Sequence, residues 1–144
     1  MELSARCYVP DLQAISPNRI MNLLKLDQSS ASGEDYFLPA EKRLVGNPRQ
    51  TLWMQYTDPS QQFFTGLWRS EPGKWKVSYT EEEYCHMLEG ESVVTDANGN
   101  AVTVKAGDSF VVPKGFTGTW EVLKTSRKRF VIYEATNQQA PAVD

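Results

Sequence analysis

A carboxylate, a thiol and an imidazole stand close together at Glu83, Cys85 and His86, and His86 is the one histidine of the chain. In an extended strand successive side chains alternate between faces, so Glu83, Cys85 and Met87 share one face while Tyr84, His86 and Leu88 share the other. With Glu83 turned inward, His86 points away from it and reads as a surface or interface histidine. Cys85 then lacks an imidazole to activate it and reads as a buried structural thiol. Glu83 is the candidate catalytic residue. An unpaired carboxylate held among rings has a raised pKa and can work as a general acid or base. The competing reading is an ion pair with a lysine or arginine from a neighbouring strand.

The same parity carries Trp75, Val77 and Tyr79 to the face of Glu83 and Cys85, and Trp68 and Tyr56 are candidates from neighbouring strands. Rings around one acid can hold an amine-bearing ligand by cation–π attraction and charge pairing. The same rings also serve as ordinary core, where aromatics dominate burial.

The elements that would position these residues are short strands. Glu81–Glu83 opens the first, an acidic run that reads as a solvated edge, and Tyr84 to Leu88 continues it to a turn at Glu89-Gly90. Glu91 to Thr95, Ala101 to Lys105 and Ser109 to Val112 follow, separated by turns at Asp96–Gly99 and Ala106–Asp108 and closed by Pro113-Lys114-Gly115. Strands at such spacing predict an all-β barrel or sandwich. Upstream, Thr51 to Thr57 and Gln62 to Arg69 read as strands, with Leu52, Met54 and Tyr56 sharing a face. Downstream, Glu121 to Lys124 and Arg129 to Glu134 read as strands around a turn at Thr125–Lys128.

Ser16 followed by Pro17 has the form of an N-cap and first helical residue, which predicts a short helix from about Pro17 to Leu24 on the outside of the barrel. A loosely ordered arm is the alternative. The expectation is one domain over residues 1–144: arm 1–49, barrel core 50–134 and fraying tail 135–144.

The 144 residues carry a net charge of -3, which argues against a nucleic-acid surface. No run of about 18 apolar residues would span a membrane. The first residues lack the basic and apolar regions of a secretory signal. Cys7 and Cys85 give neither a disulfide framework nor a CxxC pair, so a reducing, cytoplasmic setting is expected.

The spacing of Glu83 and Gly90, with Met87-Leu88-Glu89-Gly90-Glu91 around the turn, resembles the end of the first motif of the cupin superfamily. Gly107, Pro113 and Gly115 resemble its second motif. Gly115–Trp120, Arg127-Lys128, Gly73–Trp75 and Gly66–Trp68 resemble the branch of ureidoglycine-aminohydrolase-like and ethanolamine-utilisation-Q-like small cupins. The resemblance covers roughly residues 50–134. It implies a cupin double-stranded β-helix, a jelly-roll barrel. In metal-binding members three histidines join the glutamate. The resemblance places those positions at Val77 and Tyr79 (or Lys76 and Ser78) and at Gly118, and none is a histidine. No metal or cofactor is therefore expected. The parity from Gly118 turns Trp120 and Val122 inward, so the expected ligand-binding set is Tyr56, Trp68, Trp75, Tyr79, Glu83, Cys85 and Trp120.

Three functions follow. The first is a small-molecule-binding cupin whose ligand is an amine or nitrogen-rich metabolite. The second is a metal-independent hydrolase or isomerase of nitrogen metabolism using Glu83. The third is a homodimeric interaction module, which an exposed apolar patch around Tyr84 and Leu88 would favour.

Overall fold

The computed structural model describes residues 23–26 and 32–135. Nine strands run in chain order: β1 Glu34–Tyr36, β2 Arg43–Val45, β3 Gln50–Thr57, β4 Phe63–Ser70, β5 Gly73–Ser78, β6 Glu82–Asp96, β7 Ala101–Lys105, β8 Ser109–Val112 and β9 Thr117–Tyr133. They form one curled, barrel-like sheet in the order β1-β3-β4-β9-β5-β2, with β6 pairing β7, β8 and β9. All the pairings are antiparallel. A one-turn 3-10 segment at Ala40–Lys42 precedes β2. The helix expected over Pro17–Leu24 lies mostly outside the described residues, and its last two, Leu23 and Leu24, are in no helix.

The long strands β6 and β9 are the frame. They pair along most of their length, from Glu82↔Tyr133 to Asp96↔Gly118, with register shifts around Met87–Ser92. The turn expected at Glu89-Gly90 is therefore a bend inside one strand. Gly90 has φ +88°, and a Cβ there would run into the carbonyl oxygens of Thr125 and Lys124 on β9. Glycine allows this close approach, so the two strands bend together without breaking. The turn expected at Thr125–Lys128 is absent for the same reason. That stretch lies opposite the bend and continues β9, with Lys128 paired to Met87 on one side and to Trp68 on the other.

Alternation along β9 places Trp120, Val122, Ser126, Lys128, Phe130 and Ile132 on the inner face. They meet Trp75, Val77 and Tyr79 from and just beyond β5, Trp68 and Phe64 from β4, Leu52 from β3, and Met87 and Val94 from β6. Two buried serines, Ser92 and Ser126, hydrogen-bond each other at 2.8 Å, so the polar residues of the bend satisfy one another inside.

A bulge between Met54 and Tyr56 breaks the parity expected for β3. Beyond it Thr57 is buried and pairs with the buried Phe64, and Tyr56 is turned to the other side. One extra residue in a strand flips every later side chain to the opposite face. Leu52 and Tyr56 therefore do not share a face.

Candidate functional site

Lys128 is the centre of the interior, and the reading of the sequence did not include it among the site residues. Its ammonium lies 3.0 Å from Glu83 Oε2, and both side chains are wholly buried. It also donates to Cys85 Sγ at 3.6 Å, and the Cys85 thiol lies 3.5 Å from Glu83 Oε2. The remaining face of the ammonium is covered by two indoles, with Nζ 4.3 Å from the Trp120 ring and 4.7 Å from the Trp68 ring. Both are within the reach of a cation–π interaction. The rings brace each other edge to face: Trp68 stands 5.7 Å from Trp120 and 6.1 Å from Trp75. Trp68 is fixed further by donating Nε1 to Tyr36 Oη at 3.1 Å and Gln50 Oε1 at 3.3 Å.

Three strands supply the cluster: β4 Trp68, β6 Glu83 and Cys85, and β9 Trp120 and Lys128. Burial alone would lower the Lys128 pKa. The negative and hydrogen-bonding partners beside it, Cys85 and Glu83, outweigh this and hold the ammonium above the ordinary lysine range. Burial and the Glu83 charge push the Cys85 thiol well up. The site is thus an ion pair of Lys128 and Glu83 with the wholly buried Cys85 sulfur committed to both partners, which leaves no accessible nucleophile.

Of the residues expected at the site, Trp68, Trp120, Glu83 and Cys85 meet around Lys128. Trp75 is buried one ring further out, and Tyr79 packs on Phe116 with centroids 6.1 Å apart. Tyr56 is elsewhere. It contacts Phe63 on the outer side and borders a groove with Thr65, Arg129, Val131, Leu23, Leu24 and Leu26. His86 points outward as expected, with Nδ1 2.7 Å from Ser109 Oγ. Lys128 was legible in one respect: the parity from Trp120 and Val122, carried six residues further along an unbroken strand, reaches it.

The acidic run is not a solvated edge. Glu82 is exposed, but Glu81 is buried at 1% exposure alongside Glu83. Burial raises the Glu81 pKa to about 7, with smaller contributions from the charges of Glu83 and Glu134, against hydrogen bonds from Thr80. Thr80 bridges outward, its hydroxyl 3.0 Å from Glu81 Oε1 and 3.1 Å from Glu134 Oε2. Glu81 Oε2 and Glu83 Oε1 are buried without a hydrogen-bond partner, as is Trp120 Nε1.

The residues present do not fit a cupin metal. The one acidic ligand retained, Glu83, is paired with Lys128. The third family position is closed as well as empty of a donor, because a Cβ on Gly118 would run into the Thr95 carbonyl oxygen across β6. Among the described residues no group of three histidine, cysteine or acidic side chains could hold a metal ion.

A cavity of about 170 Å³ opens beside the cluster, bounded by Val94, Val104, Phe110, Val112 and Phe116, with Asp96 and Asn100 at its rim. It shares walls with the charged site. Val112 pairs with Glu83, Phe110 pairs with Cys85, and the Phe110 ring lies 6.1 Å from that of Trp120. The rim acid is committed to its own turn. Asp96 Oδ1 accepts from the backbone N–H groups of Asn98 and Asn100 at 2.9 Å each, and Oδ2 from the Asn100 side chain at 3.1 Å.

A curled antiparallel sheet whose inner face carries the motif glutamate, with positive-φ glycines at the motif positions 90, 107 and 115, defines a small cupin. Residues 57–130, just over half of the chain, match the EutQ-like cupin domain, and the chain belongs to this family. No curated protein matches it by sequence. Among solved structures, a protein of unknown function from Pseudomonas syringae superposes with a TM-score of 0.67 at 22% identity, covering 74% of this chain and 46% of that one. The chain thus spans less than half of the Pseudomonas protein. The Clostridium difficile EutQ protein gives a TM-score of 0.56 at 20% identity, covering 68% of this chain and 80% of that one. A putative ethanolamine utilization protein Q from Salmonella typhimurium gives 0.56 at 17%, covering 75% and 100%. At these identities the likeness is one of fold.

Proposed function

We propose that this EutQ-like cupin binds a small, mainly apolar molecule in the cavity bounded by β6, β7 and β8. The observation that carries this reading is the cavity itself, a partly open space lined mainly by valine and phenylalanine side chains, with Phe110 packed against the Trp120 indole. Concave, largely apolar sites with a few polar groups are the usual ligand pockets, and a cavity of this order accommodates a ring-sized molecule. An amine ligand in the aromatic and acidic cluster is not favoured, because Lys128 already supplies the cation there. Acid or base catalysis by Glu83 is not favoured either, since its carboxylate is ion-paired and fully buried. A screen of ring-sized molecules by thermal unfolding tests the reading. Compounds that stabilise the wild type should lose their effect in Val104→Trp, which fills the cavity. Equal stabilisation of both proteins, or no stabilising compound at all, would overturn it.

A second reading has its own observation. On the outer face, Val131, Tyr84 and Val111 lie in one cross-strand row, with Tyr84 43% and Val111 61% exposed. Such a row suits pairing of two copies through the sheet. Sedimentation at micromolar concentration would give a dimer that Val111→Lys dissociates. A monomer would end this reading.

A further inference from the structure

We infer that Trp68, Trp120 and Glu83 form an alkylammonium-binding cage inside the barrel, and that Lys128 is its built-in occupant. Every face of the ammonium is met by a group suited to a primary ammonium ion: a carboxylate at 3.0 Å, a thiol sulfur at 3.6 Å, and two indole rings at 4.3 and 4.7 Å. The cage is preorganised by contacts that do not involve the lysine. These are the edge-to-face ring pairs Trp68–Trp120 and Trp68–Trp75, and the Trp68 Nε1 hydrogen bonds to Tyr36 and Gln50. Glu83 is likewise held in place by its own backbone, paired to Val112 on one side and Ile132 on the other. Preorganisation of this kind is what lets a site bind a free ligand of the right shape once its tethered occupant is removed.

The site therefore differs from a metal centre in a way that follows from chemistry. A catalytic metal keeps an open position for substrate, whereas this cation has every face covered. The ammonium is tethered, wholly buried and paired with Glu83, and the wild-type cage is closed to free amines. The adjoining cavity borders the cage at Phe110 and Val112, which pair with Cys85 and Glu83.

The test is rescue by a free ammonium ion. Lys128→Ala removes three methylenes and the ammonium, which is the heavy-atom skeleton of n-propylammonium. Thermal unfolding of Lys128→Ala is measured with n-propylammonium chloride, with 1-propanol and with sodium chloride at matched concentration. The variant should be less stable than the wild type, and n-propylammonium should raise its midpoint well above either control. The dissociation constant should be about 1 mM, a range open to a four-atom ligand. The wild type should show no such shift. A variant that responds equally to n-propylammonium and 1-propanol, or a wild type that responds as the variant does, overturns the inference. If Lys128→Ala fails to fold in any of these solutions, nuclear magnetic resonance of the wild type decides. Lys128 should show a protonated ammonium at pH 8 and ε-methylene protons shifted upfield by the two indoles. A neutral amine or unshifted methylenes would overturn it.

Discussion

Two neighbouring parts of the interior show opposite solutions to a half-enclosed sheet. Around Glu83 and Lys128 the polar groups converge, and a buried ammonium is met by a carboxylate, a thiol and two indoles. Across the β6–β8 wall the cavity by Phe110 and Val104 is open and nearly without polar groups of its own. The shared residues make the contrast sharp, since Val112 and Phe110 line the open side and pair with Glu83 and Cys85 on the closed one. A cupin interior can thus spend its acidic ligand position on internal structure and still keep a ligand-sized space. What decides which part is closed is the bend of β9, which carries Lys128 inward beneath the rings.

The contrast is broken most severely at the ion pair. Glu83→Gln should destabilise by about 3–5 kcal/mol in urea unfolding, because it leaves a buried ammonium without its counter-charge. A loss below about 1 kcal/mol would mean that the interior is wetter than described. Gly118→Ala comes next. Its Cβ has no room against the Thr95 carbonyl oxygen, and a loss of about 3 kcal/mol is expected from overpacking backbone against backbone. The same closure predicts that Gly118→His gains no zinc or nickel affinity, measurable by metal titration.

Glu81 sharpens the comparison through pH. Its folded pKa, about 7, lies above the ordinary 4.5. Below 4.5 the proton is on in both states. Between 4.5 and about 7 only the folded state keeps it, so stability falls as pH rises through that window and then levels. Glu81→Gln should remove that slope and raise stability at pH 8 by no more than about 3 kcal/mol. An unchanged pH profile would show that the carboxyl is solvated. The smallest effect is expected outside the barrel. Tyr56→Ala should lose about 1 kcal/mol from its ring contact with Phe63. It should leave the affinity of any cavity ligand unchanged.

Much of this was legible from residue spacing. The turns at Asp96–Gly99, Ala106–Asp108 and Pro113–Gly115, the inward parity of Glu83 and Cys85, and the outward His86 all follow from period-2 alternation and turn chemistry. An external amine held by an acid among rings was the expectation, and the structure holds its stated alternative, an ion pair with a lysine from a neighbouring strand. The donor was not legible. Ser126, Arg127 and Lys128 look like turn residues because polar side chains are seldom buried, and pairing across Gly90 keeps the bent β9 continuous through them. Glu81 was hidden in the same way, since an acidic run reads as solvent-facing, yet two of its three members are buried. Tyr56 went astray through a bulge, a one-residue event that leaves no mark on a hydrophobic pattern.

The central claim is that the interior is organised around a closed Glu83–Lys128 pair, and a double-mutant cycle tests it most directly. Urea unfolding of the wild type, Glu83→Gln, Lys128→Met and the double variant gives the coupling energy. The account predicts a coupling of at least about 2 kcal/mol, with the double variant recovering much of what each single change loses. A coupling within a few tenths of a kcal/mol of zero would contradict it.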